Sequence, residues 1–178
     1  MDFRDVTLQA IVDFSTQLDA ALDGLTPEQW RWRPTPDANH IMWTVWHLTR
    51  IEDMWINWYP SENGERWKTR GWAEKFGMPT GDRWGVGDTP EQVGSFPKVA
   101  AEIVAGYRAD VLESAQPVIR GLSEANLETT NPGRNPRHPR PAPTFIWVLA
   151  RIPVECSQHI GQVAYIRGLM PDQDGWRS

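Results

Sequence analysis

Near the C-terminal end, in VECSQHIGQVAYIRGL, a carboxylate and an imidazole stand four residues apart on what otherwise reads as the apolar stripe of a helix. The row is Val148, Ile152, Glu155, His159, Val163 and Ile166, and its steps of three and four put both polar side chains on the inward face. A polar group buried without a partner costs roughly 2–7 kcal/mol, and a bare charge costs more. Glu155 therefore requires a counter-charge, a hydrogen-bonded network or a metal ion. This requirement restricts the chain to folds in which another helix brings a partner to that face.

A second helical row supplies one. In NHIMWTVWHLTRIEDMWINWYP the positions Thr44, His47, Ile51, Met54 and Trp58 share a face, so His47 also points inward. A single core histidine is ordinarily a packing residue. Two imidazoles and a carboxylate converging from two helices are instead a donor set that a first-row divalent metal accepts, with coordination positions left for water or substrate.

These same residues carry a resemblance. WHLTRIED, followed much later by a helix ending QHIGQVAYIRGL, resembles the DinB/YfiT-like superfamily of small bacterial helical proteins, in particular its tryptophan-rich members, over nearly the whole chain. The resemblance implies an all-α four-helix bundle with up-down-down-up order. It also implies metal binding by one histidine in the second helix and two in the last, the latter of which precedes x-Gly-Gln. His47 matches the first position, and His159, before Ile160-Gly161-Gln162, matches the third. Glu155 stands at the middle position, which leaves either a two-histidine, one-carboxylate site or a site that has lost its grip on metal.

The lengths of the amphipathic segments agree with four long helices. The first spans about Asp2 to Leu25, the second begins near Asp37 or Asn39 and stops at Pro60, the third covers about Pro97 to Leu122, and the fourth runs from a Thr144 cap to about Met170. Bends are expected at Pro117 and Pro153. Thr26-Pro27-Glu28-Gln29 and Thr89-Pro90-Glu91-Gln92 read as capped openings of short helices. LDGLTPEQW and IRGLSEANL form a faint repeat, each following a long helix and preceding a ligand-bearing one. The stretch from Ser61 to Phe96, rich in glycine and tryptophan, is long enough to return the chain to the same end of the bundle. It reads as a lid or pocket wall.

Composition narrows the function. At 178 residues the chain suffices for one domain, taken as 1–178, and a net charge of −5 argues against a nucleic-acid binder. The lone cysteine, Cys156, excludes an internal disulfide and reads as a small buried residue in a reducing compartment. No signal peptide or membrane span is expected, which makes the protein a cytoplasmic one.

Eleven tryptophans exceed what a core of this size needs. Trp43, Trp46, Trp55 and Trp58 flank His47 and are candidates to line a cavity in front of the metal, although each taken singly reads as core. Glu52 and Asp53, off the His47 face, are expected at the surface or in inter-helix ion pairs, with Glu52 able to support the site from behind. His40 is expected at the helix start. Arg134, Arg137, His138 and Arg140 lie in a proline-rich connector read as extended and solvated, an anion site being the less favoured reading. Arg66, Lys68, Arg70 and Arg83 are read in the same way.

The resemblance then points to a metal-dependent enzyme, a thiol-dependent S-transferase or isomerase acting on a small electrophilic substrate with a low-molecular-weight thiol. Zinc or nickel is the expected ion, ahead of iron or manganese, and its effect would be to acidify a thiol or water. The contrasting reading is a non-catalytic small-molecule-binding or stress-response bundle without tight metal. A homodimer is expected in either case.

Overall fold

The computed structural model describes residues 2–61 and 63–171, and every regular element among them is helical. Thr130 and Thr144 form only an isolated antiparallel bridge. Of the eleven tryptophans, Trp176 lies outside the described residues, as do the two ends of the 1–178 domain expectation.

Helix α1 (Phe3–Leu22) starts where Asp2 accepts the Arg4 amide proton and Asp5 accepts the amide proton of Asp2, which satisfies donors that a helix start leaves free. It stops three residues short of the expected Leu25, where Gly24 adopts φ +71° and turns the chain. Thr26 and Gln29 then form a capping box that opens α2 (Pro27–Arg31). The same device begins the counterpart segment, where the Ser123 amide donates to Asn126 Oδ1 at 2.7 Å ahead of α8 (Glu124–Leu127). The two halves of the faint repeat thus share a local cause.

Helix α3 (Ile41–Asp53) is capped by His40, whose Nδ1 accepts the Trp43 amide proton at 3.0 Å. The helix runs on into a π-helical turn, Met54–Trp58. All thirteen residues of α3 are buried. Glu52 and Asp53 are therefore fully inside, contrary to the surface expectation. The reason is tertiary: the excursion after residue 60 closes over Asp53 with Arg66 and Trp67, and the last long helix brings Cys156 against Glu52.

That excursion contains α4 (Arg66–Thr69), α5 (Trp72–Lys75) and α6 (Pro90–Gly94). Trp67, Phe76 and Phe96 sink into the core. Buried polar groups pin it in register. The Asp53 carboxylate accepts the amide protons of Arg66 and Trp67, each at 2.8 Å, and the Tyr107 hydroxyl at 2.7 Å. Arg50, fully buried, donates to Glu65 at 2.9 Å. Removing either partner alone would strand a buried charge, at a typical cost of about 3–5 kcal/mol.

Helix α7 (Ala101–Gly121) and helix α9 (Phe145–Leu169) both continue through their internal prolines, Pro117 and Pro153. The α9 start is set by Thr144, whose hydroxyl accepts the Trp147 amide proton. The long helices pack as a closed ring, α1 on α9, α9 on α3, α3 on α7 and α7 on α1. They enclose one apolar cluster that also takes in the excursion's aromatic residues.

Candidate metal centre

The packing of α3 on α9 brings His47, Glu155 and His159 together, with one potential ligand atom from each lying within 4.8 Å of the others. Nε2 of His159 is 3.0 Å from Oε1 of Glu155, and Nε2 of His47 is 4.0 Å from the same oxygen. The two imidazoles meet edge to face, with centroids 4.8 Å apart at 83°.

Each ring is held from its far side. Nδ1 of His47 donates to the Trp84 carbonyl, an atom that can only accept. Nδ1 of His159 bonds Oε1 of Gln162 at 2.9 Å, one helical turn ahead. Trp43 stacks flat on His47 at 4.9 Å and 9°, and its indole N–H is fixed by Asp88 at 2.9 Å.

The protonation of His47 follows. Burial lowers its pKa below the usual imidazole range, with the nearby His159 acting in the same direction and the Trp84 carbonyl and Glu155 opposing. A neutral ring with its proton on Nδ1 carries a bare lone pair on Nε2. That lone pair faces the carboxylate of Glu155, whose pKa is held down by the His159 hydrogen bond first, against burial, with Arg151 and His47 also lowering it. Lone pair against anion is repulsive. The donor set thus fits a cation, and the Trp84 carbonyl fixes on His47 the tautomer that metal-binding histidines need, whereas Nε2 of His159 is turned to Glu155 as a hydrogen-bond donor.

Arg151 provides the competing charge. It pairs with the other Glu155 oxygen, one turn earlier on α9. Glu155 is thus shared between a guanidinium on one side and the two imidazoles on the other.

These groups open onto a cavity of about 1000 Å³. Trp43 and Trp55 line it, and Trp84 and Trp147 do so as well. Trp46 and Trp58 stand elsewhere: Trp46 is fully buried against Phe96 and Trp67 at 5.1 and 6.1 Å, and Trp58 leans on Trp84 at 6.2 Å, outside the lining. Trp147 and Arg151 were within reach of sequence reasoning, because stepping back by four from Glu155 along α9 lands on both. The Trp84 carbonyl had no such signal.

The connector from Asn131 to Pro143 is solvated at residues 138–141 as expected, but it is a series of turns and not extended. Asn131 donates from its side chain to the Tyr59 carbonyl at 2.9 Å, Arg134 donates to the Trp58 carbonyl at 3.0 Å, and Arg137 and Arg140 reach the cavity wall. Arg83, from the excursion, is another wall residue and pairs with Asp88 at 2.7 Å. Cys156 is fully buried, and burial drives its thiol pKa far up, so it is no thiolate. Its Sγ lies 3.7 Å from Oε1 of Glu52.

An all-helical fold whose α3–α9 seam carries two imidazoles and a carboxylate in a tryptophan-walled cavity defines a helical protein with a candidate metal centre. The chain belongs to the DinB superfamily, which it matches over residues 11–163. Its fold is similar to that in the crystal structure of a conserved protein from Enterococcus faecalis, with a TM-score of 0.81, 20% identity, and coverage of 95% of this chain and 97% of that one. Among curated proteins none matches the sequence. No described helix is long and apolar enough to cross a membrane.

Proposed function

We propose that this protein is a metal-dependent enzyme that joins or rearranges a small electrophile with the help of a low-molecular-weight thiol, as an S-transferase or isomerase. The observation that carries the metal part is the convergence of His47, Glu155 and His159, with one ligand atom of each within 4.8 Å of the others. His47, Glu155 and His159 would hold the ion. Zinc or nickel suits two nitrogen donors and one oxygen best, with iron or manganese next. When bound, such an ion acts as a Lewis acid that favours the deprotonated form of a thiol or water near neutral pH. The rest of the chemistry belongs to the protein. The Trp84 carbonyl and Gln162 orient the rings, and the indoles of Trp43, Trp55, Trp84 and Trp147 exclude water and hold an apolar substrate. The proposal includes up-down-down-up helix order, residues 1–178 working as one unit, a cytoplasmic location and a homodimer.

Arg151 favours a second reading. Its ion pair with Glu155 supplies part of the positive charge that a metal would bring, as a non-catalytic binding bundle without tight metal would require. Elemental analysis of the purified protein and calorimetric titration with zinc and nickel separate the two. The enzyme reading expects one ion per chain, lost in His159→Ala and His47→Ala, and metal-dependent consumption of thiol with electrophilic acceptors. A stoichiometry near zero in both measurements, or binding unchanged in His159→Ala, would leave the binding bundle as the account.

A further inference from the structure

Four arginines reach the cavity wall, Arg83, Arg137, Arg140 and Arg151. Two are already neutralised, Arg83 by Asp88 and Arg151 by Glu155. The described residues offer no carboxylate to Arg137 or Arg140. These two are not loose side chains on a loose loop. The Asn135 side chain accepts the Arg137 amide proton at 3.0 Å and donates to the Arg140 carbonyl at 2.7 Å. The Arg140 amide in turn donates to the Arg137 carbonyl at 2.8 Å. One asparagine therefore closes a tight turn that sets both arginines at the same rim.

Arg137 is further placed by an aromatic face. Its guanidinium carbon lies 4.5 Å above the Trp147 ring, and Trp147 meets Trp55 edge to face at 5.6 Å. Stacking fixes the plane of a guanidinium without using its N–H donors. The donors are left for a planar anion, which arginine binds in a two-point fork. Below this rim the wall is apolar, with Ile51 and Met54 beside Trp55, and beyond it lie His47, Glu155 and His159.

We propose that the Arg137–Arg140 turn is a carboxylate-binding subsite, and that the cavity takes a small carboxylic acid with a flat apolar body. The carboxylate sits at the arginines, the body lies against Trp55 and Trp147, and the far end is presented to the histidines. What then happens to the far end rests on the metal-enzyme reading; capture of the acid at the rim does not.

The test uses the full chain and two probes of the same shape, cinnamate and cinnamamide, measured by calorimetry at low salt with and without prior chelator treatment. Cinnamate binds roughly ten-fold or more tightly than the amide, as two charge-assisted contacts warrant. In Arg137→Gln/Arg140→Gln the preference disappears while the amide affinity stays. Both side chains are at least partly exposed, and circular dichroism verifies that the variant folds. Chelation leaves the preference in place. The subsite is overturned if the wild type shows no preference or binds neither probe, or if the preference survives the double substitution. It is equally overturned if chelation abolishes the preference, because the ion would then be the carboxylate's partner. Intact preference in a protein that takes up no metal would sink the enzyme reading alone.

Discussion

A Cβ added to Gly85 would stand 2.8 Å from Nδ1 of His47. The same atom would lie 3.0 Å from both Trp43 and Trp46, and the glycine adopts φ +85°. The segment that follows Trp84 is thus pressed against the candidate ligand so closely that only a bare backbone fits. His47 owes its tautomer to the preceding carbonyl, so orientation of the ligand depends on a residue thirty-eight positions away, at Gly85.

Gly85→Ala is expected to destabilise the fold by about 1–3 kcal/mol through backbone strain alone. It should also weaken zinc or nickel binding by roughly ten- to a hundred-fold, as losing an outer-shell partner does. Gly87→Ala is the control, because Gly87 has φ +79° but nothing within 4 Å of an added Cβ. Equal losses of metal affinity in the two variants would show that Gly85 has no special hold on His47.

Glu155→His should tighten zinc or nickel binding by roughly ten-fold, since an imidazole replaces an oxygen donor in a site that already has two. It also releases Arg151 from its ion pair. Weaker binding than the parent in a direct titration would mean that Glu155 serves Arg151 and not an ion.

Glu52 predicts a pH effect. It is fully buried, one oxygen has no partner, and burial pushes its pKa up to about 7 against the opposing pull of Arg108 and Cys156. An unfolded glutamate titrates near 4.5. Between these values the folded Glu52 carries more of its proton than the unfolded one, so its contribution to stability falls as pH rises from about 4.5 to about 7 and is level above, opposite in sign to that of the buried His40 and His47. Glu52→Gln removes that slope. Its melting temperature relative to wild type should be several degrees higher at pH 8 than at pH 5, corresponding to a few kcal/mol at most. A difference that is the same at both pH values would contradict the assignment.

Association is the fourth expectation. Val6, Val12 and Tyr165 are 63%, 57% and 69% exposed, and Val12 lies in a groove between α1 and α7. Surface apolar groups of this kind mark association faces when they adjoin one another. Light scattering across a concentration series should report about twice the chain mass. A constant 20.4 kDa at tens of micromolar would rule the homodimer out.

Much of this molecule was legible from local rules. The 3.6-residue period put Glu155 and His159 on one face of their helix and His47 on the inward face of its own, because side-chain direction along a helix depends only on neighbours a turn away. That the two faces meet was decided by the packing of α3 on α9. Capping chemistry likewise marked Thr26, Thr89 and Thr144 as helix starts, and His40 where α3 begins. What the excursion covers is a different kind of fact. Trp43 and Trp46 are three residues apart on one buried helix, yet only the first faces the cavity, since Trp67 and Phe96 from distant segments claim the second. Glu52 and Asp53 look like surface residues until α9 brings Cys156 to the first and the excursion brings Arg66 and Trp67 to the second. The carbonyl of Trp84 on His47, and the placing of the Arg137–Arg140 turn at the cavity rim by Arg134 on the remote Trp58 carbonyl, depend on backbone atoms that carry no residue-type signal. Only the tertiary packing could decide those, because a hydrogen bond between a side chain and a remote main chain leaves no periodic trace in the sequence.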